Sequence, residues 1–281
     1  MSLVITVALE KGGVGKTATT VNLAAAMALD GKKVLVVDTD NQANSTYFLT
    51  GAKLKDKKYE GKGLFDAIRA FGIVEAKNYV SKTQFDNIDI IPSTLNTPLI
   101  PAQLSTLAGS TNTKETDFLF QILAQIAENY DYILIDTPPA HDNVIVQSAI
   151  VASDYVLFPL ILEEQCMDSL ETTYAVVKKL EKQEDTEIKI LGILPTVVEK
   201  TLLTSFYKET LQNSIYSKYL FKTEIRKGNA VKESSNQAMP CVYYAKTANP
   251  SVDYLNLYEE IKERIINDEN ENSNCSPAVG V

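Results

Sequence analysis

The sequence lacks tryptophan and contains only one histidine and three cysteines among its 281 residues. The cysteines, Cys166, Cys241 and Cys275, are far apart and form no CxxC pair. They argue against a disulfide framework or an all-cysteine metal site, and they indicate a reducing cytoplasm. No run approaches the roughly 18–20 apolar residues of a membrane span. No basic segment precedes the first apolar run, as it would in a secretory signal.

Positive charge is also in deficit. Lysine and arginine number 27 against 36 aspartate and glutamate residues, which gives a net charge of −9. This balance excludes a globally basic coat for nucleic acid, but it leaves room for a local basic patch. The apolar content of 45% is that of a folded globular chain.

Apolar runs alternate with segments of helical periodicity, which is the pattern of βαβ units. Six strands are predicted, at residues 3–9, 33–37, 88–91, 132–135, 155–158 and 188–194, with Pro159 and Pro195 ending the last two. We therefore expect an α/β fold: a doubly wound, mostly parallel sheet flanked by helices, in one domain of residues 1–266. Residues 51–63, with five lysines, and residues 94–116 are predicted to be irregular, and the acidic residues 267–281 to form a disordered tail.

A glycine-rich segment joins the first predicted strand to the first predicted helix. Its sequence is Glu10-Lys11-Gly12-Gly13-Val14-Gly15-Lys16-Thr17-Ala18, and we expect residues 11–18 to bind a nucleotide. Glycines let consecutive backbone N–H groups turn onto phosphate oxygens, and the helix N-terminus adds partial positive charge. Lys16 would bridge the β- and γ-phosphates, and the Thr17 hydroxyl would ligate Mg²⁺. The alternative is a turn that only packs a strand on a helix, and the GKT sequence in this context disfavours it.

The ordinary GxxxxGK[ST] pattern fails at its first position, where Glu10 stands, and a second lysine, Lys11, precedes the glycines. With this second lysine, the loop resembles the deviant Walker A motif of the ParA/MinD ATPases. The resemblance implies hydrolysis of ATP with Mg²⁺ by a homodimer, in which Lys11 reaches across the interface to the nucleotide of the second copy. A charge that contacts the transferring phosphate only in the dimer would couple assembly to hydrolysis.

Two acidic clusters follow predicted strands, Asp38-Thr39-Asp40 and Asp136-Thr137-Pro138-Pro139. Ligands of open α/β sheets bind outside the carboxyl ends of the strands. The resemblance implies that Asp40 is the catalytic carboxylate, which orients or deprotonates the attacking water. It also implies that Asp136 lies beside Mg²⁺, so that Thr17, Asp40 and Asp136 form the metal site. Asp38 is interpreted either as a strand-end cap or as a functional group.

Residues 38–44 (DTDNQAN) correspond to switch I of the family, DxDPQGN, with two departures. Asn41 and Ala43 stand where proline and glycine are usual, so the switch I backbone is expected to differ in stiffness. Ala18 stands where a second hydroxyl residue is common, which removes one contact expected near the α-phosphate. His141, the only histidine, is expected to be a surface or locally bonded residue rather than an acid–base catalyst.

Residues 223–233 (TEIRKGNAVKE) resemble a segment of the plasmid and chromosome partition ATPases. This resemblance implies non-specific, salt-sensitive DNA binding by the ATP-bound dimer, with Arg226, Lys227 and Lys232 as candidate contacts. The alternative is that these are solvated charges, and the lysines of residues 51–63 are expected to be a solvated loop. Pro240 is assigned to the nucleotide site because its turn is similar to the family's K-P-V turn near the adenine.

The resemblance further implies a centromere-binding, ParB-like partner that stimulates slow hydrolysis. It also implies a cytoplasmic protein that associates with the nucleoid when ATP is bound. Because the chain begins at its first strand, we expect it to resemble the shorter class, without an N-terminal helix-turn-helix region.

Three other functions compete with this one. For a membrane-cycling ATPase of the MinD type, the acidic residues 268–271 are unfavourable, so no membrane partner is expected. For an iron–sulfur reductase of the nitrogenase iron-protein type, the cysteines lie in the wrong contexts. A non-enzymatic nucleotide switch is disfavoured because Lys11, Lys16, Asp40 and Asp136 are all retained.

Overall fold

The computed structural model describes residues 2–140 and 142–275, with side chains as far as residue 271. The strands are β1 (Leu3–Val7), β2 (Val34–Asp38), β3 (Ser81–Lys82), β4 (Ile88–Ile91), β5 (Tyr132–Asp136), β6 (Tyr155–Ile161) and β7 (Lys189–Thr196). The α-helices are α1 (Lys16–Leu29), α2 (Asn44–Thr50), α3 (Leu64–Arg69), α4 (Ile100–Ser110), α5 (Asp117–Ala124), α6 (Val144–Val151), α7 (Glu164–Glu184), α8 (Leu202–Gln212), α9 (Asn229–Asn236), α10 (Cys241–Tyr244) and α11 (Asn249–Cys275).

The seven strands of the described chain form one sheet in the order β3-β4-β2-β5-β1-β6-β7. All neighbours are parallel except β3, which pairs with β4 in the antiparallel sense. Alternate residues face two cores: Leu35 and Val37 of β2 pack in one, and Val34 and Val36 in the other. The predicted α/β fold, a doubly wound and mostly parallel sheet flanked by helices, is confirmed.

The predictions that Pro159 and Pro195 end their strands were wrong, because β6 continues to Ile161 and β7 to Thr196. β1 pairs with β6 only as far as Leu157, so the nitrogen of Pro159 faces a position beyond the end of β1. The carbonyl of Pro195 accepts from the backbone N–H of Ile225 at 2.8 Å, which places the peptide groups of this residue on the outer edge. Neither proline removes a hydrogen bond from the ladder.

Three further elements differ from the sequence predictions. Helix α4 lies inside residues 94–116, which were expected to be irregular, and the short β3 was not predicted. Helix α11 continues to Cys275, so residues 267–275 are helical rather than a disordered tail. Lys189 Nζ and the Tyr155 hydroxyl each lie 2.6 Å from Asp268 Oδ2, which ties this part of the helix to β6 and β7. The remainder of the expected tail, residues 276–281, lies outside the described residues, as does His141.

None of the helices in the described ranges combines the length and the apolar character needed to cross a membrane.

Candidate functional site

The candidate site is built where three neighbouring strands end. β5 lies between β1 and β2, and Asp136 pairs in register with Val7 on one side and with Asp38 on the other. The carboxyl ends of these strands therefore bring together the glycine loop, the switch I segment and the residues after Asp136. This is the edge at which an open α/β sheet binds ligands.

The glycine loop has the backbone geometry of an anion site. Gly13 and Gly15 have φ angles of 79° and 90°, a region that glycine enters without strain. Gly15 directly precedes α1, and no described side chain caps this helix end. The Thr196 hydroxyl donates to the Val14 carbonyl at 2.8 Å and fixes the loop against β7. The N–H groups of the first turn of α1 have no intrahelical acceptors and can serve an anion.

Lys16 lies buried beneath this loop. Its Nζ donates to the carbonyl oxygens of Leu9 and Lys11, both at 2.9 Å, and its side chain folds back under the glycines. Burial lowers the pKa of Lys16, while the nearby carboxylates of Asp136 and Asp40 oppose that change. An ammonium has three donors. With two bonded to the loop itself, one remains to bind an anion above it.

Lys11, the second lysine, has different surroundings. It is partly exposed, and its Nζ donates to Gln165 Oε1 at 2.5 Å, in the first turn of α7. The two lysines therefore do not act as one pair in this structure. Lys16 is positioned from inside the loop, and Lys11 extends along the surface toward α7.

Asp136 connects the glycine loop to switch I. Its Oδ2 accepts hydrogen bonds from the hydroxyls of Thr17 and Ser45, each at 2.8 Å. Burial raises the pKa of this carboxyl to about 6, even though both hydroxyls favour the charged form. Thr17 is the second residue of α1 and Ser45 the second residue of α2, so one carboxylate holds the first turns of both helices. Sequence reasoning had not singled out Ser45.

Asp38 is also fully buried, and it is more than a strand-end cap. Its Oδ2 accepts from the backbone N–H of Thr46 at 2.8 Å and from the Thr46 hydroxyl at 2.7 Å. The Thr46 hydroxyl in turn accepts from the backbone N–H of Ser93 at 3.0 Å. Burial raises the pKa of Asp38 to about 8, with the charge of Asp136 adding to the effect. Asp38 thus positions α2 against the end of β4.

Asp40 is nearly buried at the centre of switch I. Its Oδ1 accepts from the backbone N–H of Gln42 at 3.0 Å, and its carbonyl accepts from the Ser93 hydroxyl at 2.7 Å. Ala43, at the usual glycine position, has a φ of 53°. The backbone therefore adopts here the left-handed conformation that glycine favours, although a side chain is present.

An open cleft of about 620 Å³ leads away from the loop at Thr17 and Ala18. It is also lined by residues that sequence reasoning had not singled out: Asn44, Tyr47, Phe48, Lys53, Ser235 and Asn236. This volume lies in the range of small-molecule sites in general. Pro240 is not among the described residues of the lining. The segment after Pro240 is joined to α1 by the Asn22 side chain. Asn22 accepts a hydrogen bond from the Val242 N–H at 3.2 Å and donates one to the Ala18 carbonyl at 2.8 Å.

The donor set of this site fits Mg²⁺ held jointly with phosphate. Thr17, Ser45 and Asp136 offer hard oxygen atoms, and Mg²⁺ is usually bound by one or two such protein groups together with phosphate oxygens and water. Among the described residues, no group of three or more His, Cys, Asp or Glu side chains could hold a metal ion without such help.

Comparison with known proteins identifies the family. A family model described as an AAA domain matches residues 2–190. The sporulation initiation inhibitor protein Soj of Bacillus subtilis is 31% identical over 262 residues, which cover 93% of this chain and 98% of Soj. The chromosome-partitioning ATPase Soj of Treponema pallidum is 27% identical over 266 residues, which cover 91% of this chain and 95% of that protein. The chain belongs to the ParA/MinD family of ATPases.

Solved structures share the fold of this ParA/MinD ATPase. McdA of Cyanothece in its ATP complex matches with a TM-score of 0.78 at 24% identity, over 94% of this chain and 96% of McdA. The cell division ATPase MinD of Pyrococcus furiosus matches with a TM-score of 0.72 at 22% identity, over 94% of this chain and 99% of MinD. At these identities the likeness is one of fold.

The three candidate DNA contacts of this ParA/MinD ATPase lie in α9 and just before it. Arg226 donates to Asp253 from Nη2 at 2.6 Å and from Nε at 3.0 Å, and Asp253 is almost fully buried. Lys227 Nζ lies 3.0 Å from Glu199 Oε2 in an exposed ion pair. Lys232 is exposed on α9. Two of the three cations thus have carboxylate partners, and Arg226 is directed toward the protein itself.

Proposed function

We propose that this ParA/MinD ATPase is a partition ATPase. In this proposal it dimerises around ATP and Mg²⁺, holds DNA without sequence preference, and releases it when a centromere-binding, ParB-like partner stimulates hydrolysis. One observation carries the proposal: the buried ammonium of Lys16 lies under a glycine loop that ends in an uncapped helix, beside Thr17 and Asp136. The partition role is supported by the relatives, one of which is named as a chromosome-partitioning ATPase.

The residues of the chain would divide the chemistry as follows. The amides of residues 12–18 and the ammonium of Lys16 would bind the phosphates and balance their charge. Thr17 and Asp136 would hold Mg²⁺, which when bound neutralises charge on the phosphate oxygens. Asp40 would orient the attacking water or accept its proton. Its backbone is fixed by Ser93, so the carboxylate needs little rearrangement to be in place.

Lys11 would make the activity depend on assembly. The Lys11 side chain lies on the surface beside α7, away from the Lys16 ammonium. In the dimer, it would contact the second copy of the chain from this position. Contact with a phosphate of that copy would supply charge only in the dimer. The DNA-bound form would be associated with the nucleoid in the cytoplasm. Arg226, Lys227 and Lys232 would contact DNA phosphates only where they leave their carboxylate partners.

The first experiment compares Lys16→Ala with Lys32→Ala, which removes a partly exposed lysine beyond the other end of α1. We expect Lys16→Ala to weaken Mg·ATP binding by at least tenfold in calorimetry, because it deletes the only buried ammonium among the described residues of the loop. Lys32→Ala should bind as the wild type does. Equal binding by both variants would refute the site assignment.

A second experiment tests the roles of Lys11 and Asp40. Lys11→Ala should bind ATP yet stay monomeric in light scattering, whereas Asp40→Ala should form ATP-dependent dimers that release phosphate slowly. Loss of dimers in Asp40→Ala would instead make that carboxylate structural.

A membrane-cycling function is the second candidate, since MinD of Pyrococcus furiosus shares the fold. ATP-loaded protein should therefore be offered generic duplex DNA and anionic vesicles in parallel. Binding to vesicles without binding to DNA would favour the membrane function over partition.

A further inference from the structure

A local excess of positive charge also lies beside switch I, apart from the candidate DNA contacts around α9. Residues 51–63 contain five lysines and two carboxylates, a local charge of +3 in a chain of net charge −9. All five lysines, at positions 53, 55, 57, 58 and 62, are exposed. We call residues 51–63 the lysine loop.

The lysine loop is a folded platform. Ala52 and Tyr59 are buried beneath it, and the side chain of Asp56 accepts from the backbone N–H of Lys53 at 2.9 Å. At its far end, a Cβ built on Gly63 would lie 2.8 Å from the Pro92 carbonyl, so only glycine allows this close approach. Lysines on a fixed backbone lose less entropy when they bind a polyanion than lysines on a flexible tail do.

Few of these positive charges are already neutralised. Among the described ion pairs of the lysine loop, only Lys57 contacts a carboxylate, that of Glu60 at 3.9 Å. Lys53 and Lys58 lie over the rings of Tyr47 and Tyr59, and both lysines are exposed. By contrast, Arg226 and Lys227 contact Asp253 and Glu199 at 2.6 and 3.0 Å.

The lysine loop also directly follows the helix that the active-site carboxylates hold. It begins at Gly51, the C-terminal cap of α2. The start of α2 is fixed by Ser45 on Asp136 and by Thr46 on Asp38. A shallow cavity between the loop and switch I is lined by Ala43 and Thr46 from switch I and α2, and by Lys57 and Tyr59 from the loop. A change at the phosphate site would therefore move this surface with α2.

We propose that the lysine loop is the principal DNA-binding surface of this chain, contacting the phosphate backbone of duplex DNA; this inference rests on the proposed partition function. Exposed ammonium groups on a rigid platform bind phosphates as point charges and read no sequence. The only aromatic side chain of the loop, Tyr59, is buried, so base stacking contributes nothing and single strands gain no advantage. Asn236 lines the same cleft as Lys53, and Lys232 lies one helical turn before Asn236 on α9. Lys232 therefore extends the positive surface of the lysine loop across this cleft.

The test uses the full chain with ATP and a fluorescent duplex of arbitrary sequence, over a range of salt concentrations. The loop variant carries Lys55→Gln, Lys57→Gln, Lys58→Gln and Lys62→Gln; Lys53 is left in place because it lines the nucleotide cleft. The matched control carries Lys32→Gln, Lys33→Gln, Lys77→Gln and Lys82→Gln, which remove the same charge near the amino ends of the strands. Circular dichroism establishes that both variants are folded.

Each phosphate contact contributes about 0.9 to the slope of log K against log salt. We expect the loop variant to lose about 3 from that slope and at least about tenfold in affinity at 0.1 M salt, while the control keeps the slope of the wild type. Wild-type binding by the loop variant, or equal losses in both variants, would overturn the inference and leave the partition function standing. If the wild type hydrolyses ATP but binds no DNA at any salt concentration, the inference and the DNA-binding part of the proposed function fail together.

Discussion

Replacing Asp38 by asparagine tests how much the buried carboxylates of the site destabilise the protein at neutral pH. Asp38 is fully buried at the end of β2, and its Oδ2 accepts both hydrogen bonds from Thr46. Asparagine retains one oxygen for these two donors and removes the charge. It loses the bond of 3.2 Å between Oδ1 and the backbone N–H of Asp40, because an amide nitrogen, which only donates, takes the place of Oδ1.

The sign follows from the two pKa values. The carboxyl group has a pKa near 3.9 in the unfolded chain and about 8 in the folded protein, raised by burial and by the charge of Asp136. Below about pH 4 both states are protonated, and Asp38 does not affect stability. As pH rises toward 8, the unfolded state releases a proton that the folded state retains, so the free energy of unfolding falls. The full effect is at most about 6 kcal/mol, since the two pKa values differ by about four pH units and each unit is worth about 1.4 kcal/mol.

The assay is urea unfolding of the nucleotide-free protein at intervals from pH 5 to pH 8. Asp136, with its pKa raised to about 6, contributes a decline over the lower part of this range in wild type and variant alike. We expect the stability advantage of Asp38→Asn over the wild type to grow by about 2 kcal/mol or more between pH 5 and pH 8. Asp86→Asn, which removes an exposed carboxylate, is the control and should follow the wild type. If the advantage of Asp38→Asn does not grow as pH rises, the reasoning is refuted, because the folded protein then does not retain the Asp38 proton to higher pH than the unfolded chain does.

Two further predictions concern ion pairs far from the glycine loop. Arg226→Ala should lower the free energy of unfolding, since it leaves the buried Asp253 without its bidentate partner. Lys227→Ala removes an exposed ion pair and should leave this free energy almost unchanged. Equal effects of the two variants in urea unfolding would contradict this distinction. Burial raises the pKa of Asp268, but the hydrogen bonds from Lys189 and Tyr155 outweigh burial and hold this pKa below its usual value. The stability that Asp268 contributes is therefore present above about pH 4 and is lost as pH falls. Asp268→Ala should therefore speed amide hydrogen exchange in the last turns of α11 at neutral pH, and unchanged exchange there would show that the helix end is held by other contacts.

The sequence predicted the sheet well because its central strands are buried on both faces and appear as continuous apolar runs. The bounds of β4 match the prediction for residues 88–91, and β5 differs by one residue. The prolines of β6 and β7 misled because their effect depends on which neighbour the nitrogen faces, a property of the assembled sheet. Residues 267–275 were predicted to be disordered because they are acidic. Their partners Lys189 and Tyr155 are distant in the sequence.

The sequence also predicted only part of the candidate site. Local motif spacing led to the loop, Asp40 and Asp136, all of which lie together in the structure. Ser45, Thr46 and Ser93 were not singled out, because short hydroxyl side chains carry no spacing signal and matter only through the carboxylates they meet. The pairing of Arg226 with Asp253 joins residues 27 positions apart, which a segment resemblance could not reveal.

Ala43 has one last consequence for switch I. A non-glycine residue in the left-handed region costs roughly 1–2 kcal/mol. Two backbone hydrogen bonds hold Ala43 in this conformation. The Ala43 N–H donates to the Asp40 carbonyl at 3.0 Å, and the Ala43 carbonyl accepts from the Tyr47 N–H at 2.9 Å. Any rearrangement that lets Ala43 return to an ordinary backbone angle recovers this energy. A glycine at the same position would recover almost none of it. With alanine at this position, a rearrangement of switch I that moves residue 43 out of the left-handed region therefore costs less free energy than it would with glycine.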